Sequence, residues 1–526
     1  MSQRRFILPF WVVLALLLAW LPNAAAPLLA PAGQQFMGSL INPDDHSVYL
    51  AAIRQGAEGN WLFHFNFSPE PIPPRLTYLF YLLLGRLLTA VSPPHLSTAT
   101  NTLFHVARLL AGLLLLWVLW VWAGIILPRW QQTAWLLAVF GGGLGWLLAP
   151  LLQTNLQTLP DLGQSEWGVL LPMLGTPHFA LGLAAETLLF ASLYQLQQTK
   201  RQRWGLLGAV CSTLLGLLYP YNISVAGLVA ALYLLAGAVQ ERRLPRWLWG
   251  WGSMALLPLL PLFAYYAIWA RQDPNWEQTH VLSNVITSPT PPQLMAGLGL
   301  IGLLGLVGLW HWLAARRDPL LPIWAIANVL VLYLPLPFAG RFLLGLTIPW
   351  ATLAAFGLET AVLPRLPHPP AAVATLRRVL LILTTPSTMA LLALLLYAPL
   401  VRPNFPLFLP EADLTAVAWL APQLNETDLV LSHYPVGNTL PRYTNGRVFI
   451  GQPFLTLHLA DKLDELTTFW AASPTARQAT IARWGITYIY VGTVEKARFD
   501  TTIPPPGELV YDRDGVKIYQ LLGATP

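Results

Sequence analysis

Two adjacent carboxylates, Asp44 and Asp45, follow Asn42 and Pro43 shortly after the first long apolar run of the chain. A carboxylate held within hydrogen-bond reach of a hydroxyl or an amine can act as a general base. The same four residues also suit the start of a helix, with an Asn cap, Pro in the first helical position and acids in the first turn. Both interpretations stay open, and neither excludes the other.

Further polar groups recur in the segments between apolar runs. The segment from Gly33 to Thr102 is unusually long, and long ordered connections are usually functional. The candidate binding residues in these segments are His64, Glu70, Arg75, Asp161, Glu166, His178, Tyr221 and Arg341. Their recurrence predicts a polar surface beside a membrane, with both acids and cations on it.

Arg108 and Glu186 lie inside apolar runs. Ionisable groups in a bilayer are costly and by default indicate a functional interior site. The alternative is a buried structural pair or, for the arginine, a side chain that reaches the interface.

The composition identifies the class of protein. Of 526 residues, 55% are hydrophobic and 10% charged, and the mean hydropathy is +0.53, which indicates a polytopic membrane protein. The net charge of +6 comes from scattered basic residues rather than a patch, so no nucleic-acid partner is predicted. The single cysteine, Cys211, lies in an apolar run and excludes a disulfide framework.

Eleven apolar runs are long enough to cross a bilayer as helices. They lie near residues 6–30, 103–127, 132–152, 179–197, 204–220, 222–239, 247–269, 293–313, 320–337, 343–362 and 379–400. The first resembles a secretory signal with a small-residue cleavage site, but the spans that follow favour a first transmembrane helix. A twelfth run, Leu76 to Val91, is short and bounded by Pro73-Pro74 and Pro93-Pro94, so we expect a helix on the outer face.

Charge predicts the orientation. If the N-terminus is cytoplasmic and Leu76 to Val91 is not a span, every cytoplasmic connection is basic, as the positive-inside rule requires. These connections contain Arg129, Lys200, Arg201, Arg203, Arg242, Arg243, Arg246, Arg316, Arg317, Arg365, Arg377 and Arg378. We therefore predict a multi-pass cell-membrane protein whose C-terminus is extracytoplasmic.

The last part of the chain changes character. Runs at 428–432, 446–451 and 486–492 have the length and composition of strands, and they alternate with helical patterns at 411–424, 457–471 and 474–484. Asp514-Gly515 marks a hairpin turn. We predict a transmembrane domain at 1–401, with the long first outer loop at 33–102, and a small extracytoplasmic α/β domain at 402–526.

The organisation resembles the GT-C superfamily of membrane glycosyltransferases, especially the branch of protein O-mannosyltransferases and the lipid A aminoarabinose transferase. The motifs are Asp44-Asp45 early in a long outer loop, Trp61, the Pro73-Pro74 pair, LFHVARLLAGLLLL with Arg108, and FAGRFLLGLTIPWA with Arg341. The resemblance covers nearly the whole chain and implies an α-helical polytopic membrane fold with a small C-terminal α/β domain.

The resemblance also implies an activity: an inverting transfer of a hexosyl or pentosyl group from a polyprenyl phosphate donor to a glycan, lipid or protein acceptor. Asp44 or Asp45 would then be the base, and Arg75, Arg108 and Arg341 would stabilise the leaving phosphate. No cofactor is required, although Asp161 or Glu166 could join the first-loop acids around Mg²⁺ or Mn²⁺, as in some relatives. Relatives often have a lysine before the proline pair, where this chain has Ile72.

Two other classes of protein remain open. A transporter or flippase of lipid-linked glycans would line a path with charges near the bilayer midplane, but here the polar groups gather at the outer ends of the spans. A non-catalytic receptor or assembly factor would not need Asp44 or Asp45.

Overall fold

A computed structural model describes residues 4–91, 96–153, 155, 158–242, 245–272, 275, 285–365 and 369–521. Pro93, Pro94 and Arg243, on which part of the sequence interpretation rests, lie outside these ranges. The chain forms two compact units, and the long first connection belongs to the same unit as the C-terminal segment. The first unit contains 1–22, 105–269 and 285–396, and the second contains 23–104, 270–284 and 397–526. The predicted domain boundary at 401 stays a prediction.

The first unit is a bundle of apolar helices. Its α-helices are Arg4–Ala25, Leu96–Ile126, Gln131–Phe140, Gly145–Leu152, Pro160–Gly163, Leu170–Leu174, Pro177–Thr199, Gln202–Leu218, Ile223–Glu241, Arg246–Leu256, Leu259–Gln272, Pro291–Ala314, Leu320–Leu332, Thr347–Gly357, Pro370–Leu383 and Pro386–Val401. Four of them cross a unit boundary: Arg4–Ala25, Leu96–Ile126, Leu259–Gln272 and Pro386–Val401. A π-helical turn, Leu358–Val362, continues Thr347–Gly357.

Nine segments within the described ranges are long and apolar enough to cross a bilayer. They are Leu8–Leu29, Leu96–Ile126, Pro128–Leu152, Pro177–Thr199, Pro220–Glu241, Trp249–Trp269, Pro291–Ala314, Ala339–Arg365 and Ala371–Val401. Side chains such as Trp310 and Val239 are 72% and 69% exposed, as suits contact with lipid. The protein is therefore a multi-pass membrane protein.

The predicted total of eleven spans exceeds these nine. The helices at the other two predicted positions are Gln202–Leu218, of 17 residues, and Leu320–Leu332, of 13. The second stops before Pro335 and Pro337, because proline lacks the N–H that a helix needs. Leu79–Thr89, the predicted surface helix, has 11 residues and rises about 16 Å, too little to cross.

The second unit contains a five-stranded sheet. Its strands are β3 (Leu429–Leu431), β4 (Arg447–Val448), β5 (Tyr488–Val491), β6 (Glu508–Arg513) and β7 (Val516–Gln520), and a separate antiparallel pair joins β1 (Gln34–Phe36) to β2 (Phe408–Pro410). The order is β4-β3-β5-β7-β6, with β4, β3 and β5 parallel. The predicted strands and the β6–β7 hairpin are confirmed.

Helices cover both faces of this sheet. The helices of the second unit are Pro43–Ala57, Leu79–Thr89, Glu411–Leu420, Tyr434–Thr439, Leu459–Ala471, Pro474–Trp484 and Thr493–Arg498. Val430 packs with the core beside Glu411–Leu420, whereas its neighbours Leu429 and Leu431 pack with the opposite core. Alternate strand residues point to opposite faces, so apolar strands fit a three-layer α/β/α arrangement.

The long first connection folds along the edge of this sheet. Asn66 O accepts from Val448 N at 3.1 Å, and Arg447 Nη1 donates to Pro69 O at 2.6 Å. The buried Arg54 guanidinium donates to Thr444 O at 2.7 Å and Asn445 Oδ1 at 2.9 Å. The connection is thus part of a folded unit with the C-terminal segment.

Two glycines allow Pro43–Ala57 and Leu79–Thr89 to cross closely. A Cβ at Gly56 would lie 2.0 Å from Leu82 O, and a Cβ at Gly85 would lie 2.0 Å from Ile53 O. We expect Gly56→Ala and Gly85→Ala each to destabilise the fold by about 1–3 kcal/mol, because backbone atoms must move apart. Thermal unfolding in detergent measures this.

Gly227→Ala is the matched control, since an added Cβ there meets nothing within 4 Å. It should leave the melting temperature unchanged or slightly raised, because Ala favours helix more than Gly does. Equal melting temperatures for all three variants would contradict the close crossing.

Candidate functional site

The helix Pro43–Ala57 begins at Pro43, with Asp44 and Asp45 in its first turn. Asn42 precedes it with a left-handed φ of 49°, and its side chain makes no capping hydrogen bond. The predicted side-chain cap is therefore wrong. Asn adopts this conformation more readily than most residues, which explains its presence.

The carboxylates of Asp44 and Asp45 bond to the C-terminal segment. The Tyr434 hydroxyl donates to Asp44 Oδ1, and Asn438 Nδ2 donates to the Asp44 carbonyl at 3.2 Å. Gln452 Nε2 donates to Asp45 Oδ1 at 2.8 Å. Both carboxylates remain partly accessible, so the structure orients this acidic pair without burying it.

The partners of the acidic pair come from one edge of the sheet. Tyr434 follows β3 and Gln452 follows β4, and these two strands are parallel neighbours. Ligands of parallel α/β sheets bind outside the carboxyl ends of the strands. The sequence interpretation missed both residues, although their positions directly after predicted strands were the signal that could have found them.

The environment of Asp44 increases its affinity for a proton. Partial burial raises the pKa of this carboxyl, and the hydrogen bond from Tyr434 opposes that rise. A carboxylate with a raised pKa is a stronger base once it is ionised.

Other predicted residues of the first connection have structural contacts. Glu70 Oε1 accepts from the buried Lys462 Nζ at 2.6 Å and Glu70 Oε2 accepts from the Ser68 hydroxyl. His64 N donates to Gln55 Oε1 at 2.9 Å, and Gln55 Nε2 donates to His64 O at 3.0 Å. Arg75 pairs through its backbone with Phe63 in an isolated bridge. Their predicted binding roles stay predictions.

The first unit contains a second polar cluster, centred on Glu166 and Arg341. Arg341 Nη1 donates to Glu166 Oε1 at 2.5 Å, and Glu166 is fully buried. The Tyr219 hydroxyl lies 3.4 Å from Glu166 Oε1 and 3.2 Å from the Arg341 carbonyl oxygen. The Arg341 guanidinium also lies 5.5 Å from the ring centre of Tyr221, within cation–π range.

Buried side-chain amides hold the segment that contains Arg341. Asn222 Nδ2 donates to Leu344 O at 3.0 Å and Asn328 Nδ2 donates to Phe342 O at 2.6 Å. Glu186 Oε2 accepts from Asn222 Nδ2 at 3.1 Å. Gly345 has a φ of +86°, and a Cβ there would lie 2.2 Å from Glu186 Oε2. Glu186 therefore contacts the residues that hold this segment, and the functional interior site that the sequence indicated stays a prediction.

Arg108 and His178 differ in their relation to this cluster. His178, near the start of Pro177–Thr199, interacts electrostatically with Arg341. Arg108 Nη1 donates to the carbonyls of Ala19, Met173 and Leu174 at 2.8 to 3.1 Å. Arg108 thus ties three backbone segments together, and its predicted phosphate contact stays a prediction.

Asp161 and Glu166, the predicted metal ligands, each have a protein partner, and their metal role stays a prediction. Asp161 Oδ2 accepts from Gly145 N at 2.9 Å, at the start of the helix Gly145–Leu152. Glu166 is engaged by Arg341 and by the Ser165 hydroxyl at 2.9 Å. Within the described ranges, no group of three or more acidic, His or Cys side chains could hold a metal.

Comparisons with solved structures identify the fold. The oligosaccharyltransferase of Archaeoglobus fulgidus, solved with a tethered acceptor peptide containing the NVT sequon, matches with a TM-score of 0.55 and 13% identity over 92% of this chain and 69% of its own. ArnT from Cupriavidus metallidurans, solved bound to undecaprenyl phosphate, matches with a TM-score of 0.54 and 15% identity over 98% of this chain and 99% of its own. The protein has a GT-C fold.

The same archaeal oligosaccharyltransferase, AglB, in complex with an inhibitory peptide and a dolichol-phosphate, matches with a TM-score of 0.51 and 12% identity over 93% of this chain and 70% of its own. No family model and no curated protein sequence matches this chain. The solved structures confirm the predicted fold class, whereas the sequence comparisons do not, because identities this low leave little similarity between the sequences.

The Glu166–Arg341 pair can be tested by a double-mutant cycle. We expect Glu166→Gln and Arg341→Gln each to lower the free energy of unfolding by about 3 kcal/mol, because each breaks a buried ion pair. The double variant should lower it by less than the sum of the two single variants, as measured by unfolding in detergent.

The pair of Lys517 and Asp512, whose side chains are 41% and 50% exposed and 3.8 Å apart, serves as the control. Its coupling should be below about 1 kcal/mol. If the losses of unfolding free energy at Glu166 and Arg341 were additive, the two side chains would not interact.

Proposed function

We propose that this protein is a glycosyltransferase that transfers a sugar from a polyprenyl phosphate donor to an acceptor on the extracytoplasmic face. The observation that carries the proposal is the acidic pair: two oriented, partly accessible carboxylates, Asp44 and Asp45, in a protein with the GT-C fold. Solved structures of that fold contain undecaprenyl phosphate or dolichol-phosphate, which supports a lipid-linked donor.

The proposed reaction is a single displacement with inversion. The acceptor oxygen or nitrogen attacks the anomeric carbon, and the bond from that carbon to the phosphate oxygen breaks. The phosphate leaves with the electron pair, while the acceptor proton passes to a carboxylate. In the second unit, Asp44 or Asp45 is the proposed base, because Tyr434 and Gln452 hold these carboxylates in fixed orientations.

In the first unit, Arg341 is the proposed contact for the donor phosphate. The hydrogen bond from Nη1 to Glu166 and the held segment around Leu344 restrict the guanidinium, which lowers the entropy lost on binding. Arginine binds phosphate with several parallel donors. The mechanism uses no metal ion, and the acceptor is a glycan, a lipid or a protein.

Replacement of the acids tests the base. We expect Asp44→Asn or Asp45→Asn, whichever is the base, to lower the rate of sugar transfer about 10²- to 10⁴-fold. Purified protein is incubated with a panel of polyprenyl phosphate sugars and membrane extracts, and labelled sugar in the acceptor is followed. Asp464→Asn, on the exposed face of Leu459–Ala471, is the matched control and should keep full activity.

If a folded sample consumed none of the donors, the proposed glycosyltransferase activity would be contradicted. Activity retained in both aspartate variants would contradict the assigned base. In sealed vesicles, transfer to an acceptor supplied on the extracytoplasmic side, and not on the other, is expected from the proposed orientation.

The pH dependence distinguishes the two carboxylates. The Tyr434 hydroxyl lowers the pKa of Asp44, so Tyr434→Phe should raise it further. If Asp44 is the base, the acid limb of the pH–rate profile then moves to higher pH, because the carboxylate must be ionised to accept a proton. Tyr443→Phe is the control. An unmoved profile in active Tyr434→Phe protein would assign the base to Asp45.

A further inference from the structure

A large cleft lies in the first unit, away from the Glu166–Arg341 cluster. Its volume is about 1510 Å³. Glu359 lines it, and Glu359 follows Arg341 by 18 residues within the single segment Ala339–Arg365. That separation is roughly 27 Å at 1.5 Å per helical residue, so the cleft and the cluster are near opposite ends of one span.

The charged residues that line the cleft are mostly basic. They are Arg129, Arg377 and Arg378, together with one acid, Glu359. Arg377 Nη2 donates to Glu359 Oε2 at 2.9 Å, and Arg377 Nε lies 2.7 Å from Glu359 Oε1 as an ion-pair contact. Thr133 also donates to Glu359 at 2.8 Å, and Glu359 is only 8% exposed. Glu359 therefore neutralises and fixes one arginine.

The remaining two arginines are available to a ligand. Arg129 and Arg378 are exposed, and neither has a carboxylate partner within the described ranges. Arg129 lies 5.6 Å from the ring centre of Trp130, which restrains it without neutralising it. The lining of the cleft thus has two uncompensated positive charges.

Most of the other residues that line the cleft are apolar. They include Trp11, Leu14, Leu18, Leu136 and Met389. A soluble anion would contact the arginines but leave these apolar side chains in contact with water. A ligand with a charged head and a hydrocarbon chain suits both kinds of lining residue, since apolar area removed from water contributes about 25 cal/mol per Å².

We propose that this cleft binds an anionic phospholipid of the surrounding bilayer, with its phosphate on Arg129 and Arg378 and an acyl chain against the apolar lining residues. The basic connections at this end of the bundle are those that the charge pattern predicts to face the cytoplasm, where anionic lipids attract basic residues. The lipid site is separate from the proposed sugar-transfer chemistry and does not depend on it.

Native mass spectrometry of the full chain in detergent tests the site, with dioleoyl phosphatidylglycerol as the probe. We expect Arg129→Gln/Arg378→Gln to weaken phosphatidylglycerol binding at least tenfold. Zwitterionic phosphatidylcholine should bind wild-type protein more weakly than phosphatidylglycerol. Circular dichroism and thermal unfolding verify that the variants are folded, as expected for exposed side chains.

Arg201→Gln/Arg203→Gln is the matched control. It removes two exposed arginines outside the cleft, and Arg203 lies over Trp204 at 4.9 Å much as Arg129 lies over Trp130. Unchanged phosphatidylglycerol affinity in this control would support the site. An equal loss in the control, or no loss in the cleft variant, would overturn it.

A competition arm identifies the source of the phosphate. Undecaprenyl phosphate and inorganic phosphate are each added to the phosphatidylglycerol complex. Displacement by inorganic phosphate at equal concentration would show that the apolar lining residues contribute nothing to binding and would overturn a lipid site. Binding of undecaprenyl phosphate with no binding of phosphatidylglycerol would overturn the assignment to a phospholipid.

Discussion

The buried charges among the apolar helices of this protein depend on compensation by polar partners. An isolated charge in a medium of low dielectric costs several kcal/mol. Glu166 accepts from Arg341, Glu359 accepts from Arg377 and Arg108 donates to three carbonyls. Each of these contacts joins segments that are far apart in the sequence, so the requirement for a partner also determines which segments of the bundle lie together.

In the second unit, two carboxylates at an accessible surface also have polar partners. The Asp44–Asp45 pair begins a helix, where backbone N–H groups and the helix dipole favour negative charge. The helix alone does not orient the two carboxylates. Tyr434 and Gln452, at the carboxyl edge of a parallel sheet, do so. The C-terminal segment is therefore an integral support of the acidic pair, and it also anchors the first connection through Arg54 and Lys462.

Sequence patterns predicted the regular elements well because those patterns are local. The strands β3 and β5, the β6–β7 hairpin and most helices fall where hydrophobic runs and turn residues indicated. The errors have local causes too. Leu320–Leu332 stops short of two prolines, and Asn42 takes a left-handed conformation where a side-chain cap was expected. Hydropathy measures how apolar a run is, but it does not measure how long the helix is.

The sequence by itself determined that this is a polytopic membrane protein with a small α/β domain, since composition and periodicity depend only on residue type and neighbours. It also drew attention to Asp44, Asp45 and Arg341. Only the tertiary structure decided which partners these side chains have. The contact from Asp44 to Tyr434 joins residues about 390 positions apart, and that from Arg341 to Glu166 spans 175. Such pairings arise when distant segments pack, and no local pattern in the chain encodes them.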